Sequence, residues 1–174
     1  AQLAYGFIRG RSLAQIEAVV YAGQAHAEML PDGTRRGFMI GDGTGVGKGR
    51  EISGIILDNF RQGRTKAIWM SAKQGLIEDA KRDFLGVSGN PDLIVNQNKT
   101  KADEPKIAAT KGILFTTYST LRGGQKVNPN EVGKKTAISR IDQIVTWAGP
   151  DFDGVLVMDE SHFMGNAIAI RGKR

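Results

Sequence analysis

The sequence predicts an α/β fold built on a mainly parallel sheet. Three observations carry the prediction: short apolar runs recur along the chain, stretches with helical apolar spacing alternate with them, and Gly- or Pro-containing breaks separate the two kinds. Runs that are apolar throughout, rather than at every second residue, mark strands covered on both faces.

The elements follow in order. Residues 12–30 read as a helix: Ser12 and Gln15 have capping-box spacing, Leu13, Ile16 and Val20 share a face, and Pro31-Asp32-Gly33 ends it. The run GFMIG (37–41) reads as a short buried strand. Ile52, Ile55, Ile56 and Phe60 mark a helix stopped near Gly63. KAIWMS (66–71) is the next strand, followed by a helix that turns Leu76, Ile77, Ala80 and Phe84 inward and stops at Gly86. DLIV (92–95) and GILFTT (112–117) are further strands. Ile138, Ile141, Val145 and Ala148 mark a last helix, closed by Gly149-Pro150, and GVLVMD (154–159) a last strand. Trp69 and Trp147 belong to the core, and His26 is an ordinary helix residue.

Composition narrows the function classes. The 174 residues carry a net charge of +6 and no cysteine, which excludes disulfides and thiolate metal sites. The start of the chain lacks the layout of a signal peptide, and no apolar run reaches the length of a membrane span. An intracellular protein without a membrane partner is therefore expected, and the absent initiator Met suggests a fragment. Between Lys99 and Lys135 eight Lys or Arg face only Asp103, Glu104 and Glu131. Nucleic acid is the natural partner of such a surplus, and plain solubility charge is the rival explanation.

Two motifs carry chemistry. In GDGTGVGKGR (41–50) the glycines let successive backbone N–H groups turn inward, a helix starting near Val46 adds its positive end, and Lys48 can reach the outer phosphates of a nucleotide. The position after the lysine, where Ser or Thr commonly holds magnesium, is Gly49. Thr44 and Ser53 are the candidates to replace that hydroxyl. In VLVMDESH (155–162) an apolar strand delivers two adjacent carboxylates: Asp159 to hold magnesium and Glu160 to orient and deprotonate an attacking water. His162 completes an Asp-Glu-x-His box and is expected to couple hydrolysis to nucleic-acid binding. The two motifs in this order predict a nucleotide site. A GTPase reading fails, because DFDG (151–154) precedes its strand and NQNK (96–99) is not a guanine reader. Serine-hydrolase and zinc motifs are missing from the sequence.

The two boxes together resemble the first RecA-like lobe of superfamily-two helicases and translocases. DGTGVGKG resembles the DEMGLGKT loop of Swi/Snf-type translocases, and ILFTTYSTLR (113–122) the segment those enzymes set against a nucleic-acid backbone. The likeness is closer to the Strawberry notch family over residues 30–84, with its Gly-Lys-Gly-Arg loop, and over WAGPDFDGVLVMDESH (147–162). The resemblance implies a three-layer RecA-like lobe that binds ATP and Mg2+ at residues 37–174. It also implies an N-terminal helical segment, 1–36, in which Gln15 reads adenine. Gly43, Thr44, Gly45, Val46, Gly47, Lys48, Gly49 and Arg50 are then the phosphate loop. Ser71, Lys73, Thr116, Thr117 and Arg122 are expected to touch the phosphate backbone of DNA or RNA. A second RecA-like lobe is the implied partner, so the lobe alone is expected to bind nucleotide weakly and to hydrolyse it slowly or not at all. A bacterial, plasmid or phage source is expected, with a cytoplasmic location, or a nuclear one in a eukaryote. The rival to a motor is a nucleotide-dependent regulatory scaffold.

Overall fold

The computed structural model describes residues 12–43, 45–101, 104, 106–122 and 139–164. They fall into two compact units, one drawn from residues 1–65 and 78–93, the other from 66–77 and 94–174.

The first unit is helical. Helix α1 (Leu13–Ala27) starts at Ser12, whose side chain accepts from the Gln15 amide. It packs against α2 (Lys48–Arg61). The buried face of α1 is Gln15, Val19 and Ala22, not the expected Leu13, Ile16 and Val20; Leu13 is 86% exposed. The face shifts because the Gln15 side chain turns inward to a partner far along the chain instead of back toward Ser12. Helix α2 follows its expected spacing and buries Ile52, Ile55 and Ile56. Asn59 is buried with them, its amide donating to the Ile55 carbonyl at 2.8 Å. The run 37–41 forms no strand: it is irregular, and Met39 is 87% exposed. Glycine at both ends of three apolar residues gives this segment little to hold an extended conformation. Helix α3 (Leu76–Gly86) presents Phe84 edge-on to Phe60, ring centres 6.2 Å apart.

The second unit holds the sheet. Strands β1 (Lys66–Ser71), β2 (Ile94–Asn96), β3 (Gly112–Thr117) and β4 (Val155–Met158) are ordered β2-β3-β1-β4, and every pairing is parallel. The α/β class read from the sequence is thus the fold found. β1 and β3 lie at the expected residues and are buried almost throughout. β4 is an edge strand in which Val155 is buried while Leu156 and Met158 are exposed. A one-turn helix α4 (Tyr118–Arg122) leaves β3, and α5 (Arg140–Ala148) precedes β4. Ile68, Met70, Leu114, Tyr118, Ile144 and Trp147 form the core of this unit.

Helix α5 corrects the sequence reading. Ile141 and Val145 are 52% and 62% exposed, Ile138 lies outside the described residues, and the buried face is Gln143, Ile144 and Trp147. A buried glutamine is tolerable only when every polar atom is satisfied. Gln143 meets this: its amide donates to the carbonyls of Lys101 and Glu104 at 2.9 and 2.8 Å, and its oxygen accepts from Arg140 at 2.9 Å. The helix starts with a capping box between Ser139 and Asp142. No helix among the described residues is long and apolar enough to cross a membrane.

Candidate nucleotide-binding site

The glycine loop lies in the first unit. Gly45 and Gly47 take positive φ, +85° and +96°, conformations open to glycine at no steric cost. They turn the chain sharply into α2. Gly47 is the N-cap residue and offers no side-chain cap, so the first amides of α2 are left for a ligand. The Lys48 ammonium folds back over the loop and donates to the carbonyls of Asp42 and Gly43 at 3.2 and 3.4 Å. Gln15 is buried, and its side-chain amide donates to the Val46 carbonyl at 2.9 Å. This bond ties α1 to the loop. It leaves no room at Gly47, where a Cβ would collide with the Gln15 side chain.

These residues open onto a cleft of about 530 Å³. Gln15, Gly45, Val46, Gly47, Lys48 and Arg50 line it together with Arg82 and Asp83 of α3. Gly43 is exposed nearby in sequence, and Thr44 lies outside the described residues. The cleft is therefore built largely from the residues the sequence singles out, with Arg82 and Asp83 as additions. Those two sit in a run of charges, EDAKRD (78–83), that reads as a solvated helix face. No pattern in the sequence links Asp83 to the loop. The Asp83 carboxylate lies 3.7 Å from Nε of both Arg50 and Arg82. Ser53, a candidate to replace the missing hydroxyl, is fully buried.

Behind the loop, the carboxyl of Glu51 is buried beside the Asp42 carboxyl, and as a carboxylate neither of its oxygens has a donor. Burial first, and then the neighbouring Asp42 carboxyl, push its pKa up from 4.5 to about 7, against an opposing pull from Lys48.

The second motif lies in the other unit, at the carboxyl end of β4. The Asp159 amide continues the β1–β4 ladder by donating to the Met70 carbonyl at 2.9 Å. Its carboxylate accepts from the Ser71 hydroxyl at 3.1 Å, and its carbonyl accepts from the Tyr118 hydroxyl at 2.8 Å. Three bonds thus fix Asp159 in orientation. Glu160 follows in the left-handed region, φ +55°, which swings its side chain out of the strand. Its carboxylate lies 3.3 Å from Nδ1 of His162. Tyr118, which the sequence reading passed over, is half of the clamp on Asp159. Burial, then the charges of Asp159 and Glu160, push its own pKa up from the usual value of 10.0.

The five residues expected at a nucleic-acid backbone divide. Ser71, Thr116 and Thr117 are buried. Thr116 donates to the Gln97 side chain at 2.6 Å, and the Thr117 hydroxyl accepts from the Thr120 amide at 3.2 Å at the start of α4. These three organise strand ends instead of lying on the surface. Lys73 and Arg122 are exposed, as are Lys99, Lys101, Lys106 and Lys111 of the basic stretch; Lys126, Lys134 and Lys135 lie outside the described residues.

No group of three His, Asp or Glu side chains converges on a metal position among the described residues. Magnesium would thus be held chiefly by phosphate oxygens and water with one or two carboxylates, its usual mode beside a nucleotide. The Asp159 carboxylate is an oxygen donor of the kind such an ion takes.

Comparison with known proteins agrees with this geometry. A family model described as P-loop containing NTP hydrolase pore-1 matches residues 7–174. Protein FORGETTER 1 of Arabidopsis thaliana is 41% identical over 166 residues, covering 94% of this chain and 12% of that protein. Protein strawberry notch of Drosophila melanogaster is 42% identical over 155 residues, 87% of this chain and 9% of its own. Human protein strawberry notch homolog 1 is 42% identical over 155 residues, 87% of this chain and 11% of its own. The chain spans about a tenth of the length of these relatives. All three are eukaryotic and lend no support to the expected bacterial, plasmid or phage source. No solved structure matches the chain significantly. With loop, helix and acidic strand end in place, the chain belongs to the P-loop containing NTP hydrolase pore-1 family, in the company of the strawberry notch proteins.

Proposed function

We propose that this chain is the ATP-binding lobe of an ATP-dependent DNA or RNA helicase or translocase, in which hydrolysis is coupled to nucleic-acid binding. The observation that carries the reading is the cleft at the uncapped start of α2, lined by Lys48 and the loop glycines. In this reading residues 37–174 form the lobe and 1–36 a segment that brings Gln15 to the adenine. ATP and Mg2+ are the cofactors. Lys48, Arg50 and the loop amides take the phosphates, Asp159 anchors the metal, Glu160 takes the proton of the attacking water, and His162 relays the state of the site to the nucleic-acid surface. Lys73 and Arg122 are the exposed residues suited to a phosphate backbone. Such contacts are sequence-independent and weaken with salt. A second RecA-like lobe in the parent polypeptide supplies the remaining catalytic groups. The setting is intracellular, cytoplasmic in a prokaryote and nuclear in a eukaryote.

A second reading, a nucleotide-dependent regulatory scaffold that does not move along nucleic acid, is favoured by the burial of Ser71, Thr116 and Thr117. Steady-state ATPase assays on the full-length parent separate the two. Stimulation by DNA or RNA, abolished by Glu160→Gln with ATP binding intact, is expected. Turnover that survives Glu160→Gln refutes the catalytic assignment, and turnover indifferent to every nucleic acid favours the scaffold.

A further inference from the structure

The loop lacks the hydroxyl that ordinarily follows its lysine, and the structure shows what stands in its place. Gly49 is the second residue of α2. A Cβ built on it would clash with Oδ2 of Asp83 and lie 3.2 Å from the Asp83 Cγ. A serine hydroxyl would sit one bond beyond that Cβ. The Asp83 oxygen therefore occupies the region that the missing side chain would fill.

The carboxylate is also suitably presented. Its two oxygens face different neighbours: Oδ1 toward the Nε atoms of Arg50 and Arg82, each at 3.7 Å, and Oδ2 toward Gly49. Both ion pairs are longer than hydrogen bonds, so the arginines steer the group without saturating it. The side chain is 16% exposed, and it is the one acidic side chain among those lining the cleft. Magnesium favours carboxylate, phosphate and water oxygens.

We propose that Asp83 supplies the magnesium-facing oxygen that Ser or Thr supplies in other phosphate loops, and that Gly49 is glycine to admit it. This rests on the nucleotide reading of the cleft. The motif is then divided between two elements: the lysine and the space come from α2, the ligand from α3. The side chain that would crowd the ligand out is absent from position 49.

The test is calorimetric titration of the full-length parent with a non-hydrolysable ATP analogue, once with Mg2+ and once with EDTA. It compares wild type, Lys48→Ala, Asp83→Asn, Asp83→Ala and the double variant Asp83→Ala/Gly49→Ser, each checked for its fold by circular dichroism. The wild type is expected to bind more tightly with Mg2+. Asp83→Asn and Asp83→Ala are expected to lose at least about tenfold of that tightening, the scale of a perturbed metal shell, while metal-free affinity does not fall, because a negative charge has been removed from beside the phosphates. Serine at 49 in the Asp83→Ala chain is expected to restore it. Electron paramagnetic resonance with Mn2+ and the analogue gives the same comparison without turnover. Full Mg2+ dependence in both Asp83 variants overturns the proposal, and so does an equal loss with and without metal, which would mark a structural role. If the wild type does not bind the analogue, or if Lys48→Ala binds as well as wild type, the nucleotide reading fails and the proposal fails with it. Lys48-dependent binding that ignores Asp83 removes the proposal alone.

Discussion

Glu51 gives the chain a stability that should fall as pH rises. Its carboxyl is buried beside Asp42, and its pKa stands at about 7 against an ordinary 4.5. Below the unfolded value the group is protonated in both states and has no effect on the balance. Between the two values the folded chain keeps a proton that the unfolded chain releases, so stability drops with rising pH. Above the folded value the whole penalty applies. The full difference corresponds to about 3 kcal/mol. Asp42 is exposed, so solvent reaches this side of the loop and discounts both the burial penalty, which is the main cause, and the Asp42 contribution, leaving about 1–2 kcal/mol. Glu51→Gln keeps the shape and removes the charge. Urea unfolding of both proteins at about pH 4.5 and about pH 8.5 checks the reasoning. The two should be nearly equal in acid, and the Gln variant more stable by about 1–2 kcal/mol in base. A gap that does not change with pH, or a wild type that gains on the variant as pH rises, would refute it.

Two further perturbations probe the sheet unit. Gly154→Ala sets a Cβ against the Lys66 backbone carbonyl, which has no side-chain freedom to yield. It should cost about 1–3 kcal/mol and show as faster amide exchange over residues 155–159. Gln143→Leu keeps the volume but strands the carbonyls of Lys101 and Glu104 and one partner of Arg140. A loss of about 2–4 kcal/mol is expected, read as a lower urea midpoint at unchanged slope.

The strands that the sequence located to the residue, β1 and β3, are the ones buried along nearly their whole length. There a continuous apolar run and a strand are the same thing. The helix faces were less legible, and the reason is specific. Gln15 and Gln143 look like surface residues by type, yet both are buried by bonds to groups about 30 and 40 positions away. A periodicity argument sees only neighbours on the same helix. It therefore turned α1 and α5 toward Leu13, Ile141 and Val145, which are exposed. The run 37–41 was read as a strand from three apolar side chains, although a strand also needs a partner edge. The glycine loop announced itself because its chemistry is local: the glycines, the lysine and the helix start lie within ten residues. Asp83 and Tyr118 carry no local signal, because each acquires its place only when another element arrives.

Glu160 holds a left-handed backbone conformation that a glycine would adopt freely. For a residue with a Cβ this costs about 1–2 kcal/mol. Heat resistance and the proposed chemistry therefore pull this position in opposite directions. A selection for thermostable variants, blind to turnover, would drift toward glycine at 160. It would enrich proteins that fold better and have lost the group assigned to activate water. Melting temperature is the wrong yardstick for ranking variants at the end of this strand.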